Sequence, residues 1–354
     1  MKLLLPSFLA LSLCFLACQE TPPTPGPNEW AIPISEVRDG GPGKDGIPSI
    51  DEPEFVSIAD ASTFLLDSDL VVGVKQGDTY RAYPHIMLDW HEIVNDELDD
   101  AYWSVVYCPL TGSATGWDRE LDGNITTFGV SGLLYNTNII PYDRESDSNW
   151  SQMIQEAVNG SRLGQKPNTF QVFETTWGEW KGMFPTTTVL SENTGFNRPY
   201  GSYPYGGYLT NEQLLFPISN EDDRRHPKDR VLGLLIGDEV KGFPIAEMRQ
   251  DSAEAVVAIQ DEFSGVSVVV VGSESRNFAA AFQRRLADGT LLDFEAVQEG
   301  GAIVLRDQEG NEWNVFGEAV SGPRQGQQLV WQESFLAYWL AWGAFYPGAS
   351  LYES

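Results

Sequence analysis

Short runs of apolar or alternating residues, separated by glycine, proline, asparagine and aspartate, follow one another along most of the chain. Such runs predict strands joined by tight turns. The runs VVGVKQGDTYRAYP from Val71 and VLGLLIGDEVKGFP from Val231 each contain a central Gly-Asp pair, which predicts a β-hairpin. The run YWSVVYC, which ends at Cys108, has the aromatic and β-branched content of a buried strand. The pattern therefore predicts an α+β, β-rich fold.

A few segments show the spacing of a helix instead. The run PHIMLDWHEIVND predicts a helix over residues 84–95, followed through a short acidic turn by a strand over 102–108. The run TTWGEWKGMF predicts a second, short helix that stops before Pro185. The final FLAYWLAWGAFYP repeats this second pattern near the C-terminus.

The sequence resembles itself, because four blocks recur in the same order with similar spacing. The matched blocks are VVGVKQGDTYRAYP with VLGLLIGDEVKGFP, WSVVYCPL with VSVVVVGS, AVNGSRLGQ with AVSGPRQGQ, and WGEWKGMFP with WLAWGAFYP. Two long copies are too few for a solenoid. We therefore predict two tandem copies of one domain related by a pseudo-twofold axis, with repeat 1 over 37–192, a Tyr/Gly/Pro-rich connector over 193–229 and repeat 2 over 230–354.

The N-terminal segment predicts where in the cell the protein is located. Residues 1–17 have a basic start and a short apolar run, as a secretory signal peptide does, and Ala17-Cys18 matches the lipoprotein cleavage pattern. Cys18 would then carry the lipid, and the proline-rich residues 18–36 would form a tether. Gln19 and Glu20 follow, without an inner-membrane retention aspartate, so we expect an outer-membrane lipoprotein of the cell envelope that faces the periplasm or the exterior. Plain secretion is the alternative.

Charge and cysteine content narrow the class of protein. The formal net charge of -29 excludes nucleic acid as a partner, since phosphates require a basic surface. The acidic residues are spread along the chain, which is typical of a solvated acidic surface. Two of the three cysteines, Cys14 and Cys18, lie in the targeting segment. Cys108 is thus the only thiol of the folded body, and no internal disulfide is expected.

One window brings a histidine and a cysteine close together in sequence. Residues 90–112 contain His91, Glu92 and Cys108, and the chain has only three histidines. In the matched blocks Cys108 corresponds to Val271 and His91 to Asp251, so this chemistry is confined to repeat 1. A functional Cys108 and a plain core cysteine both explain the difference, because a buried cysteine behaves as a small hydrophobe.

If the window is functional, two roles compete. Cys108 and His91 could form a thiol catalyst in which Glu92 or Asn95 orients the imidazole, with both reactive side chains on one concave surface. Alternatively Cys108 and His91, with His226 or a carboxylate, could hold copper or zinc.

Three other patterns have both functional and structural interpretations. Asp143-Arg144 could clamp a polar ligand or form a buried ion pair. GGPGKDG lacks the end of a P-loop motif and predicts a fixed turn that brings Lys44 and Asp45 onto the domain. The tyrosines of residues 203–208 could stack on sugars or wrap over the core.

Long blocks of the chain, taken together, resemble one family of bacterial and archaeal envelope proteins. The blocks are GGPGKDGIPSID, AYPHIMLDWHEIVND, VVYCPLTGSATGWDR, TFGVSGLLYNTNIIPYDRESDSNWSQ, TTWGEWKGMFPTTTVLS and WLAWGAFYP. They are similar to the domain of unknown function 3179, from about Val37 to the C-terminus. The resemblance implies a fold and a site rather than an activity.

The recurring motifs of that family fall on a definite set of residues. They are His91, Glu92, Asn95, Cys108, Pro109, Gly112, Asp143, Arg144 and Trp150. The family often has a second cysteine where Thr111 stands here, so a mechanism with a vicinal thiol pair is in doubt for this chain.

Two functional hypotheses follow. In the first, the protein is a membrane-anchored envelope lipoprotein with a Cys-His thiol or metal site in repeat 1. In the second, it is a non-catalytic binding or assembly lipoprotein whose aromatic connector contacts a glycan or protein partner.

Overall fold

The computed structural model describes residues 29–249 and 255–353. The predicted signal peptide, Cys18 and residues 18–28 of the predicted tether lie outside the described residues, as does Asp251, the expected counterpart of His91.

In the described part of the chain, strands dominate and four short helices accompany them, which confirms the β-rich α+β class. The helices are α1 (Ile58–Ala61), α2 (His85–His91), α3 (Trp177–Met183) and α4 (Trp339–Phe345), with 3-10 turns at Ile34–Glu36, Tyr208–Thr210 and Ile245–Glu247.

The strands up to residue 192 are β1 (Arg38–Asp39), β2 (Phe55–Val56), β3 (Leu70–Gln76), β4 (Thr79–Pro84), β5 (Ile93–Leu98), β6 (Ala101–Cys108), β7 (Ser113–Asp118), β8 (Glu120–Leu121), β9 (Asn124–Ile125), β10 (Phe128–Tyr135), β11 (Asn138–Asp143), β12 (Asn149–Ser151), β13 (Glu156–Asn159), β14 (Thr169–Phe170), β15 (Phe173–Thr176) and β16 (Thr188–Leu190). The strands after residue 229 are β17 (Arg230–Ile236), β18 (Glu239–Pro244), β19 (Val257–Phe263), β20 (Val266–Ser273), β21 (Phe278–Gln283), β22 (Phe294–Ala296), β23 (Ile303–Asp307), β24 (Glu312–Asn314), β25 (Ala319–Ser321), β26 (Ser334–Tyr338) and β27 (Ser350–Leu351).

Residues 37–192, here called the first half, form three main sheets. Their strand orders are β15-β3-β4-β16-β2, β14-β7-β6-β5 and β1-β10-β11-β12-β13. Residues 230–353, the second half, form sheets in the orders β26-β17-β18-β27, β19-β20-β21 and β22-β23-β24-β25. Neighbouring strands in the described sheets are antiparallel, except β16 beside β4 and β27 beside β18. The same single exception thus occurs at the corresponding place in each half.

A tryptophan covers a strand glycine in each half. The ring of Trp180 lies where a side chain at Gly73 would be, and the ring of Trp342 lies over Gly233 in the same way. Both rings are fully buried, and their Nε1 atoms donate hydrogen bonds to Thr187 Oγ1 at 2.9 Å and to the Val231 carbonyl at 3.0 Å. The short helices α3 and α4 are therefore held against their sheets by close packing at a glycine.

The predicted helix over 84–95 is too long at its C-terminal end. Helix α2 ends at His91, because Glu92 has a φ of 59° and Ile93 begins strand β5. Ile93 and Val94, the apolar pair that suggested a longer helix, pack on opposite sides of β5. Ile93 belongs to the hydrophobic core that contains Cys108, and Val94 belongs to the one that contains Tyr107. Alternation of this kind suits a strand between two layers, not a helix face.

The connector, residues 193–229, is an ordered wrap over the first half. Tyr208 is buried, and its hydroxyl donates to the carbonyl of Leu110 at 2.8 Å. Trp90 Nε1, on α2, donates to the carbonyl of Ser202 at 3.0 Å. These contacts place the connector above the end of α2 and the β6–β7 turn.

Within residues 29–249 and 255–353, no helix has the length and apolar character required to cross a membrane.

We expect the substitution Gly73→Ala to destabilise the fold, because the added Cβ would lie 2.1 Å from the ring of the buried Trp180. Overpacking of this kind costs about 1–3 kcal/mol, which urea unfolding of the two proteins will measure. The matched control is Gly182→Ala on α3, where an added Cβ has no neighbour within 4 Å among the described residues. Alanine there should leave the free energy of unfolding unchanged or raise it by up to about 1 kcal/mol. Equal stability of wild type and Gly73→Ala would contradict the packing argument.

Candidate functional site

The end of helix α2 places two carboxyl groups inside the protein. Asp89 lies in the last turn of α2 and Glu92 directly follows the helix, near enough for its charge to act on Asp89. The Glu92 N–H donates to the Leu88 carbonyl and its own carbonyl accepts from Tyr107 N–H, both at 2.7 Å. These two bonds hold the positive φ of Glu92, a conformation that costs a non-glycine residue about 1–3 kcal/mol. The turn directs the Glu92 side chain inward, where Tyr205 Oη donates to it at 3.2 Å.

The two carboxyl groups have no countercharge in the described part of the chain, where the ion pairs involve neither Asp89 nor Glu92. The Oδ1 atom of Asp89 is buried and has no hydrogen-bond partner, although the residue as a whole keeps partial exposure. Burial, and then the charge of Glu92, raise the pKa of Asp89 to about 8. Burial raises the pKa of Glu92 to about 7, although the hydrogen bond from Tyr205 lowers it.

Three tyrosines from different parts of the chain lie near enough to Asp89 for its charge to act on them. Tyr107 lies on β6, Tyr203 in the connector and Tyr338 on β26 of the second half. Burial is the main cause that raises the pKa of each phenol, to about 12 for Tyr338, and the charge of Asp89 adds to it in all three. The ring of Tyr338 lies against Gly112, where an added Cβ would be 2.6 Å away.

An ion-pair chain ties this region to the second half. His85 Nε2 lies 3.0 Å from Glu174 Oε2, and Arg230 Nη2 donates to the same oxygen at 2.9 Å. The imidazole of His85 packs on Tyr107, with ring centroids 4.6 Å apart. Burial lowers the pKa of His85, although the hydrogen bond and the charge of Glu174 raise it. We call the whole set the junction cluster: His85, Asp89, Glu92, Tyr107, Cys108, Glu174, Tyr203, Arg230 and Tyr338.

Cys108 belongs to this cluster as a neutral thiol. It is fully buried in the apolar core that contains Ile93 and Leu110, and its Sγ lies 3.8 Å from the Thr137 carbonyl. Burial, and then the charge of Glu92, raise the pKa of the Cys108 thiol to about 11. A nucleophilic or metal-binding cysteine needs a thiolate, whose formation a positive neighbour would favour. Here the neighbouring group is a carboxyl.

His91 faces other partners. Its Nδ1 lies 2.7 Å from the Pro48 carbonyl and its Nε2 lies 2.6 Å from Tyr200 Oη. A carbonyl only accepts, so Nδ1 carries the proton and Nε2 accepts from the tyrosine. The imidazole is thus oriented by Pro48 and Tyr200, which corrects the expectation that Glu92 or Asn95 orients it. Burial is the main cause that lowers the pKa of His91.

Asn95 is a structural cross-link. Its Nδ2 donates to Asp51 Oδ1 at 2.6 Å and to the Phe128 carbonyl at 2.8 Å. Its Oδ1 accepts from Ser104 Oγ at 2.6 Å and from Phe128 N–H at 2.9 Å. All four hydrogen bonds of the amide are therefore used in holding β5, β6 and β10 together.

The third predicted metal ligand, His226, lies on the connector surface with 46% of its side chain exposed, 3.7 Å from Glu212. The described residues contain no group of three or more histidine, cysteine, aspartate or glutamate side chains arranged to hold a metal ion. Cys108, His91 and His226 consequently do not form a ligand set in this structure.

Asp143 and Arg144 bind different partners. Asp143 is fully buried, and it accepts hydrogen bonds from Trp150 Nε1 at 3.0 Å and Ser146 N–H at 2.7 Å. Arg144 instead pairs with Asp45 at 3.0 Å and Asp51 at 3.3 Å. The two side chains do not pair with each other, and the basic neighbour of Asp143 is Arg162, whose Nε lies 3.8 Å from Oδ1. The clamp for a polar ligand stays a prediction. The prediction that the GGPGKDG turn brings Asp45 onto the domain is confirmed by its bond with Arg144.

The connector tyrosines direct their hydroxyls inward. Tyr203 Oη donates to the Pro109 carbonyl at 3.2 Å, Tyr205 donates to Glu92, and Tyr208 donates to Leu110. They cover the junction cluster, as expected of a wrap over the core.

Sequence reasoning missed Asp89, His85, Glu174 and Tyr338. A signal was available, because the strand registers align Pro84 with Pro244 and Val72 with Leu232. His85 then corresponds to Ile245, Asp89 to Arg249 and Glu174 to Leu336. At these three aligned positions the second half has apolar or oppositely charged residues.

A family model described as Protein of unknown function (DUF3179) matches residues 44–349. No curated protein matches the chain significantly, and no solved structure does either.

We expect the two buried carboxyls to make stability fall as pH rises. Between their usual pKa values and about pH 8, the folded protein keeps protons on Asp89 and Glu92 that the unfolded chain has released. The folded state then binds more protons, so the free energy of unfolding decreases with rising pH, by up to about 1.4 kcal/mol per pH unit for each carboxyl. Urea unfolding across this range should show a shallower slope for Asp89→Asn and for Glu92→Gln than for wild type.

The matched control is Asp99→Asn, because Asp99 is exposed in the β5–β6 turn. This variant should keep the wild-type slope. A slope that is the same in all four proteins would show that the two carboxyls ionise alike in the folded and unfolded states.

Proposed function

The chain belongs to the DUF3179 family, and we propose that this member is a membrane-anchored cell-envelope lipoprotein that binds a small polar ligand at the junction cluster. The observation that carries the proposal is the buried, unpartnered Oδ1 of Asp89. A buried acceptor without a partner costs about 1–3 kcal/mol, and such groups are rare in native proteins. A ligand that donates a hydrogen bond to this oxygen would remove that cost.

The position of Asp89 supports binding in a second way. The residue as a whole is partly exposed while its inner oxygen is buried, so the carboxyl lies close to the surface of the protein. Residues from α2, β6, the connector and β26 converge there, and binding sites are commonly placed where several elements meet. Perturbed acids in such a place are typical of functional sites.

The thiol-catalyst hypothesis has less support. It needs Cys108 as a thiolate beside a free imidazole nitrogen, whereas burial and Glu92 raise the pKa of the thiol and both nitrogens of His91 have partners. Copper or zinc binding stays a prediction, and both metals belong in the binding screen below.

Assembly with a protein or glycan through the connector is a second candidate. The observation in its favour is the outer face of the connector, where the apolar side chains of Phe196, Leu209 and Leu215 are 42%, 47% and 50% exposed. These residues are not part of the junction cluster, so the two candidates can be tested separately.

We also infer that the two halves arose by tandem duplication and are related by a pseudo-twofold axis, with the predicted limits 37–192, 193–229 and 230–354. The repeated strand orders and the two tryptophan–glycine contacts support this inference. So does a repeated hydrogen bond, in which Trp150 donates to Asp143 and Trp313 to Asp307. In this proposal the first half binds the ligand and the second half contributes Tyr338 and Arg230 to the same site.

The proposed anchor predicts the behaviour of a Cys18→Ala variant. Without the thiol that accepts the lipid, the protein should be recovered in the soluble envelope fraction and should lack an acyl mass. Cell fractionation and intact mass spectrometry of wild type and variant make the comparison. The anchor proposal fails if the wild type has no acyl mass and the variant still sediments with membranes.

The binding proposal is tested by thermal-shift screening of wild type and the Asp89→Asn/Glu92→Gln double variant. The panel contains amines, amino acids, monosaccharides, dicarboxylates, and copper and zinc salts. At least one class should raise the melting temperature of wild type and not of the double variant, because a ligand that binds the native state stabilises it. The proposal fails if no class stabilises wild type, or if both proteins respond equally.

A separate measurement, iodoacetamide labelling of the native protein, distinguishes the binding proposal from the thiol-catalyst hypothesis. A protected Cys108 is expected of a buried neutral thiol, whereas rapid labelling would favour the thiol-catalyst hypothesis instead.

A further inference from the structure

We propose that the ligand of the junction cluster is a small organic ammonium ion, which donates its N–H groups to Asp89. This inference rests on the proposed binding function and specifies the chemical class of the ligand. Its first support is the unpartnered, buried Oδ1 of Asp89, which needs a hydrogen-bond donor.

The second support is a missing positive charge. The charge of Glu92 acts on Asp89, and among the described residues no basic side chain contributes to the pKa of either carboxyl. Arg230 pairs with Glu174, and Lys228 Nζ donates to the carbonyls of Tyr208, Asn211 and Gln213. Two buried acids without a countercharge are costly unless they are neutral or a cation joins them. A ligand that carries the charge would complete the site.

The third support is the kind of atom around Asp89. The neighbouring polar groups are the phenols of Tyr107, Tyr203 and Tyr338, which come from three separate elements. A bare divalent ion needs several oxygens at one short distance, and no such group of acidic or histidine side chains occurs in the described chain. An ammonium group, in contrast, can be held by one carboxylate that accepts its N–H groups.

The electrostatic field of the whole protein favours the same class. The formal net charge of -29 concentrates cations near the surface and repels anions, which disfavours phosphates and dicarboxylates. A neutral donor such as an amide would satisfy Oδ1 but would not stabilise the ionised form of the carboxyls, which burial disfavours. Charge and donor capacity together therefore select an ammonium ion.

The test uses four probes with isothermal titration calorimetry on the complete chain. Butylammonium has charge and N–H donors, tetramethylammonium has charge alone, acetamide has donors alone, and calcium is a hard inorganic cation. We expect butylammonium to bind most tightly, and Asp89→Asn to weaken its binding at least about tenfold, as loss of a charged hydrogen-bond partner does. The control variant Asp99→Asn removes the same charge from an exposed turn and should bind as wild type does.

The outcomes separate this inference from the proposed function. If acetamide, calcium or another class from the thermal-shift panel binds in an Asp89-dependent manner and butylammonium does not, the ammonium inference is overturned while the binding function stands. If no probe or panel member depends on Asp89, both are overturned. If butylammonium and tetramethylammonium bind equally well, hydrogen bonding to Oδ1 is refuted as the basis of recognition. Should Asp89→Asn not fold, the ranking of the four probes on wild type still decides between the classes.

Discussion

The backbone turn at Glu92 is the constraint on which the site depends. Ile93 and Val94 pack into two different cores, so the chain has to leave helix α2 immediately after His91 and continue as a strand. A positive φ at one residue achieves the change of direction, and the backbone bonds to Leu88 and Tyr107 hold it. The same turn brings Glu92 beside Cys108 and one helical turn from Asp89. The packing of Ile93 and Val94 thus determines where Glu92 lies relative to Asp89.

Other members of the cluster are distant in sequence from helix α2. Tyr203 arrives with the connector and Tyr338 with the second half, where its N–H donates to the Thr111 carbonyl at 2.7 Å. Glycine at position 112 allows the ring of Tyr338 to approach, since a side chain there would overlap it. Arg230 and Glu174 join the halves beside His85. The cluster therefore exists only when both halves and the connector are in place.

Local patterns in the sequence were enough to predict the hairpins around the Gly-Asp pairs, strand β6 and helix α3, because turn residues and apolar spacing act over a few positions. They also placed Glu92 and Cys108 in one region. The end of α2 was mispredicted because apolar residues at 93 and 94 fit a helix face as well as an alternating strand, and only pairing with β6 decides between them. Asp89 and Tyr338 were missed because their burial depends on partners more than a hundred residues apart. The orientation of His91 was also mispredicted, because its partners Pro48 and Tyr200 lie outside the window from which the prediction was made.

The second half shows what the fold requires without the cluster. At corresponding places it has Ile245 for His85, Val271 for Cys108 and Leu336 for Glu174, all buried and apolar. The second half thus packs hydrophobic residues at these three places and avoids the cost of burying a histidine and an acid there. Asp89 aligns with Arg249, so both halves have a charged residue there, but Arg249 is largely exposed and pairs with Glu274, whereas Asp89 has a buried oxygen without a partner. In the proposed function a ligand compensates the cost of this oxygen, because it donates the hydrogen bond that the fold does not supply.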